Sequence, residues 1–162
     1  AISYRLVGSE MCIRDRLGLV MVSAERFISM AWELELTICS LITDQTPEGY
    51  LDVCRDQAKS RGIDVFNLNF NEYESPLAAF AAAENRELVA TLEGCRRKTL
   101  VIFEGADALA ALECNETFWL RSLLVNSDAS ELVVTFLVTS EGKVRLFQDS
   151  EGAFYRDCVD LN

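Results

Sequence analysis

Four short apolar runs, each followed by a polar or acidic residue, constrain what this chain can fold into: Leu36 to Thr43 (LTICSLIT), Ile63 to Phe70 (IDVFNLNF), Thr99 to Phe103 (TLVIF) and Leu132 to Thr139 (LVVTFLVT). They are rich in β-branched residues and have strand length. Three are apolar almost throughout, as strands covered on both faces are. Segments with helical spacing separate them. Ser23 is placed to cap a helix to about Glu33, within a leading segment over 17–35. Tyr50 to Arg61 repeats Leu51, Cys54 and Ala58 on one face, and Gly62 closes it. Ser75-Pro76 starts a helix expected to run to about Gly94, and Asn115 is placed to cap one over Glu116 to Val125. Lys143 to Phe147 suits one short helix and Ala153 to Val159 a fifth, edge strand. The order β-α-β-α-β-α-β-(α)-β predicts an α/β fold: a three-layer α/β/α sandwich around a mostly parallel sheet of about five strands.

Composition removes several classes of function. The chain has 162 residues, enough for one domain with a real core. Its net charge is −11, and its one dense basic cluster, Arg96-Arg97-Lys98, reads as a solvated helix end. Direct nucleic-acid binding, which needs a basic face, is not expected. No run reaches the roughly 20 apolar residues that span a bilayer, so no membrane partner is expected either. The six cysteines form no CxxC pair and read as reduced thiols in a cytoplasmic setting. There is no histidine, which removes Ser-His-Asp and Cys-His catalysis and histidine-ligated zinc. Cys39, Cys54 and Tyr50 would each need another activating base to act as nucleophiles.

The chain starts at Ala1 rather than Met and is read as a fragment or an open frame. Leu6 to Arg16 (LVGSEMCIRDR) resembles translated sequencing-adapter sequence of the kind found at the ends of environmental reads. Residues 1–16 are therefore read as a non-native extension, 17–35 as a leading helical segment and 36–162 as a single α/β domain whose true start is unknown.

Ligands of such sheets sit at the carboxyl ends of the strands. Those ends are Thr43-Asp44, Asn71-Glu72, Glu104-Gly105 and Thr139-Ser140. A carboxylate cluster of Glu72, Glu74 and Asp44 for a divalent cation is one candidate there. Leu100 to Leu109 (LVIFEGADAL) resembles the Walker B strand of AAA+ and STAND-type P-loop ATPases. The resemblance implies a P-loop-NTPase-like fold with ATP and Mg²⁺ as ligands. It places Glu104 at the magnesium-side acid, Gly105 where many members carry a water-activating Glu, and Asp107 at the following acid. Thr139 or Ser140 then falls where a sensor residue meets the γ-phosphate, and Arg156 in the region where such families place functional arginines.

The loop after the first strand argues against working chemistry. A phosphate-binding loop reads G-x-x-x-x-G-K-[ST], whose backbone N–H groups wrap the phosphates. Here Asp44 to Leu51 reads DQTPEGYL. Gly49 falls on the second glycine, but Asp44 replaces the first, Tyr50 the lysine and Leu51 the hydroxyl. Asp44 and Glu48 put negative charge where a triphosphate belongs, at about 4 kcal/mol per like-charged pair before screening. Pro47 removes an N–H. The expected function is a non-catalytic interaction or regulatory domain with a degenerate nucleotide site. No catalytic residue and no cofactor are expected, and the partner would be a protein or a homologous ATPase subunit. The first alternative is a divergent ATPase that binds nucleotide through Gly49, Tyr50, Glu104, Asp107 and Thr139, with Glu104 on the metal. The second is an unrelated small α/β enzyme or ligand-binding domain.

Overall fold

The computed structural model describes residues 12–14, 20–111, 114–126 and 131–162. In chain order the elements are β1 (Cys12–Arg14), β2 (Val20–Val22), α1 (Ala24–Met30), β3 (Ile38–Ile42), α2 (Tyr50–Ser60), β4 (Asp64–Asn69), α3 (Pro76–Ala81), α4 (Arg86–Glu93), β5 (Thr99–Glu104), α5 (Asn115–Asn126), β6 (Leu132–Val138), α6 (Ser140–Lys143) and β7 (Val159–Asp160). The five main strands form one parallel sheet in the order β4-β5-β6-β3-β7. Helices cover both faces, giving a three-layer α/β fold. Among the described residues no helix is long and apolar enough to cross a membrane.

The period-two alternation of the strands divides the core. Cys39, Leu41, Leu100, Ile102, Val133 and Leu137 face α1 and α2, and Phe27, Ile28, Tyr50, Cys54 and Ala58 pack onto them. The neighbouring positions Val101, Phe103, Val134 and Phe136 face α3, α4, α5 and the turn after α6. An aromatic row crosses this second core: Phe70, Phe103 and Phe136 stand 5.4 Å apart in sequence across the sheet, with Phe154 5.2 Å beyond.

Several elements differ from the sequence expectation. The leading helix is shorter: Ser23 Oγ accepts from Arg26 N at 3.2 Å, but Val20–Val22 is a strand and the helix stops at Met30. The helix from Pro76 is broken at Ala82 because Asn85 turns inward, donating to the Ala79 carbonyl at 2.7 Å and to Tyr73 Oη at 3.1 Å. Asn115 lies inside α5 rather than before it. Lys143 closes a one-turn helix that continues as a π turn over Val144–Gln148, and the fifth strand is only Val159–Asp160. The extension expected over 1–16 lies outside the described residues except for 12–14, which pair antiparallel with β2. Val22 in turn donates to the Leu161 carbonyl at 3.0 Å, so β2 sits against the β7 edge.

Candidate functional site

The chain leaves β3 on the α2 face and crosses to β4 at the far edge of the sheet, then returns through β5, β6 and β7 on the other face. Connections therefore depart from the adjacent carboxyl ends of β3 and β6 in opposite directions, which opens a crevice between them. A cavity of about 290 Å³ lies there, lined by Thr43, Thr46, Gly49, Arg55 and Glu104 among others.

The β3–α2 loop is folded on itself. Gly49 takes φ 81°, a left-handed conformation that positions the start of α2 and disfavours any residue with a Cβ. Thr46 N donates to the Thr43 carbonyl at 3.2 Å and Tyr50 N to that of Pro47 at 3.2 Å, so these N–H groups serve the turn. Thr46 Oγ1 donates to the Ile42 carbonyl at 2.8 Å. The side chain of Asn162 spans the same place, accepting from Ile42 N at 2.7 Å and donating to Thr46 Oγ1 at 3.1 Å. Tyr50 is buried in the α1–α2 core, and its hydroxyl donates to the Val22 carbonyl at 2.8 Å. Asp44, Glu48 and Asp52 are exposed around the loop.

Glu104 and Asp107 do not converge. Glu104 lies toward α2, where its Oε2 accepts from Asn67 Nδ2 at 2.7 Å and stands 3.9 Å from Arg55 Nη2. Arg55 also donates to Asn67 Oδ1 at 2.7 Å and Asp52 Oδ1 at 2.9 Å. Asp107 lies toward α6: one oxygen accepts from Thr139 N at 2.9 Å and the other is hydrogen-bonded to the Thr139 hydroxyl. Thr139 Oγ1 in turn accepts from Gly142 N at 3.1 Å and caps α6. Gly142 packs directly on the Asp107 carboxylate, leaving no room for a Cβ. Gly105 holds φ 63°, and Asn71 fills the space a side chain there would need.

The crevice thus holds Gly49 and Glu104, with Tyr50 withdrawn beneath it, while Asp107 and Thr139 pair with each other at the start of α6. The loop N–H groups of Thr46 and Tyr50 bond within the loop, the Tyr50 phenol is buried, and Glu104 holds Asn67 beside Arg55. Among the described residues no group of three His, Cys, Asp or Glu could hold a metal ion. The carboxylate cluster of Asp44 with Glu72 and Glu74 does not form, because β4 lies three strands from β3, roughly 14 Å across the ladder. Arg156 precedes β7 and so sits at the opposite, amino end of the sheet, away from Glu104.

Nucleophilic roles for the sulfur and phenol groups are disfavoured by burial. It pushes the Cys39 thiol well above its ordinary value, the Cys54 thiol to about 12, and the Tyr50 hydroxyl upward as well. Cys39, Cys54, Cys95, Cys114 and Cys158 are free thiols. Sequence reasoning missed Asn67, Arg55 and Asn162. The i,i+3 spacing of Asp52 and Arg55 was visible, but the long-range partners depend on strand order. The chain matches no protein-family model and no curated protein sequence.

Proposed function

We propose that this chain is a P-loop-NTPase-like domain whose nucleotide site is degenerate, acting as a non-catalytic interaction or regulatory module for a protein partner or a homologous ATPase subunit. The observation that carries this reading is the side chain standing at each catalytic position. Tyr50 serves the core, Asp107 and Thr139 tie β5 to α6, and Glu104 binds Asn67 beside Arg55. Each group that would handle phosphate or metal is engaged in holding the fold. Strand order supports the same reading: β6 lies between β3 and β5, so the carboxyl ends of the three strands that bear the first loop, Glu104 and Thr139 are neighbours.

The test is a thermal-shift titration with Mg-ATP. The melting temperature is expected to stay flat into the millimolar range, since a ligand that binds only the native state raises it. A dose-dependent rise would overturn the reading in favour of a divergent ATPase. In that case Glu104→Gln should abolish hydrolysis while leaving the melting temperature nearly unchanged.

A further inference from the structure

On the outer side of the second core, α3 and α4 leave a groove of about 240 Å³. Phe80 and Ala81 line it from α3, and Arg86, Val89, Ala90 and Glu93 from α4. None of the six is buried: Ala81, Arg86, Ala90 and Glu93 are exposed, and Phe80 and Val89 are half-buried. Leu77, one turn before Ala81 on α3, is 62% exposed, the most open large hydrophobic among the described residues. This helical face therefore shows apolar side chains to solvent.

The pattern along α4 says what would cover it. Arg86, Val89, Ala90 and Glu93 stand at i, i+3, i+4 and i+7, which makes one stripe of the helix. A cation begins the stripe, an acid ends it, and two apolar residues lie between. The midpoint from Arg86 to Glu93 falls between Val89 and Ala90. The stripe is thus its own complement when a second copy is turned end for end: Arg86 meets the partner's Glu93 at both ends, and Val89 meets the partner's Ala90. Nothing within the chain uses these charges. Among the described residues neither Arg86 nor Glu93 makes an ion pair or a side-chain hydrogen bond. Each also stands at the end of α4 where its charge opposes the helix dipole, so neither serves the helix itself. The small side chain of Ala90 lets two helices approach to about 8 Å, the close limit of helix packing.

We propose that the chain forms a two-fold symmetric homodimer, with α4 packed antiparallel on α4 of a second copy and closed by two Arg86–Glu93 ion pairs. Such an interface uses the same patch on both copies, so assembly stops at two. The contact is small, because the eight residues of α4 span only about 12 Å and Leu77 and Phe80 extend it on one side. Two copies of net charge −11 also repel each other. The dimer therefore belongs at the weak end of specific interfaces, with a Kd of about 100 μM. This face shares no residue with the β3–β6 crevice and does not depend on how that crevice is read.

Sedimentation equilibrium of the full chain tests it, from about 5 μM to about 1 mM to bracket that affinity. Salt of about 0.15 M shortens the reach of the overall repulsion to about 8 Å. The mass is expected to rise from one chain toward two and no further. Arg86→Glu and Glu93→Arg each set like charges together at both contacts and should weaken the dimer about tenfold or more. Both substitutions agree with the helix dipole, so α4 is not weakened, and circular dichroism of each variant checks the fold. An equimolar mixture of the two variants restores attraction at both contacts and should dimerise at least as well as the native chain. The double variant Arg86→Glu with Glu93→Arg should do the same. The proposal is overturned if the native chain stays monomeric throughout or grows past two copies. It is equally overturned if the single variants associate as the native chain does, or if neither the mixture nor the double variant recovers the association.

Discussion

Thr135 is the one described residue whose buried side-chain oxygen has no hydrogen-bond partner. It sits in the middle of β6, paired with Cys39 on one side and Ile102 on the other, and shares the α1–α2 face with Val133 and Leu137. A hydroxyl there has lost its water without regaining a bond, while its methyl group packs normally. Thr135→Val keeps the shape and removes the unpaired group. It is expected to stabilise the fold by about 1 kcal/mol, read as a higher urea midpoint with an unchanged m-value. The reasoning is the reverse of that for Ser40, which is equally buried on the same sheet but donates to Asp160 Oδ1 at 3.1 Å. Ser40→Ala therefore leaves an acceptor underused, whereas Thr135→Val leaves nothing unsatisfied.

At the scale of elements, β7 is the weakest piece of the sheet. It has two residues, and the segment before it is turn rather than strand. Side chains supply what the short ladder lacks. Lys143, buried at the end of α6, brings its Nζ within 3.4 Å of Asp160 Oδ1 and 3.3 Å of the Asn162 carbonyl. Asn162 uses its own amide against Ile42, continuing the β3–β7 pairing with side-chain atoms. Lys143→Ala leaves Asp160 and that carbonyl short of a donor in a site only partly open to water. A loss of about 2 kcal/mol is expected, below the figure for a fully buried pair because Asp160 retains some solvent. Hydrogen exchange should show Leu161 N–H, bonded to the Ser40 carbonyl at 3.0 Å, losing protection before the β5 and β6 amides.

These elements also show how far the sequence could be read. β5 and β6 were legible because apolar runs with β-branched residues have few other ways to be buried, and both are buried along nearly their whole length. Ser23 and Ser75 were legible as caps because capping is local: each hydroxyl accepts from an N–H three residues on. The break after α3 was not, because the alanine-rich run has uniformly good helix propensity and the interruption depends on Asn85 finding Tyr73 and Ala79. The candidate site was half legible for the same reason. Its residue types could be read from motif spacing, but that Glu104 is held by Asn67 beside Arg55 depends on β4 lying next to β5. Whether Asp44, Glu72 and Glu74 meet was not legible either, because spacing across loops does not show convergence and strand order separates them.

The whole molecule stores protonated acids on both sides of its sheet. Cys39, Cys54 and Tyr50 all lie in the α1–α2 core, and Cys158 lies on the other face near Ser40 and Asp160. Burial raises each of them, with Cys54 and Cys158 pushed to about 12 from an ordinary thiol value of 9.0. In the unfolded chain these groups ionise at their ordinary values, whereas the fold keeps their protons. The stability they contribute is therefore fully present below pH 9.0 and is lost as pH rises toward about 12. Circular dichroism across that window should show alkaline unfolding whose midpoint moves upward in Cys54→Ala, once corrected for the cavity that substitution leaves. A midpoint unmoved by removal of any one thiol would show that other groups set the alkaline limit.

The register of β3 has a consequence for biosynthesis. Ile38 pairs with Val134 and Cys39 with Val159, so this internal strand is made early and both of its neighbours late. At ribosomal rates of roughly 5–20 residues per second, about a hundred residues of delay leave an apolar internal strand without a ladder for about 5–20 s. The nascent chain can shelter its side chains against α1 and α2 in that interval, but its backbone donors on both edges stay open. A trigger-type holdase acting on the emerging chain would be expected to select the stretch around Ile38–Ile42, and slow codons downstream of β5 would lengthen its exposure rather than aid folding.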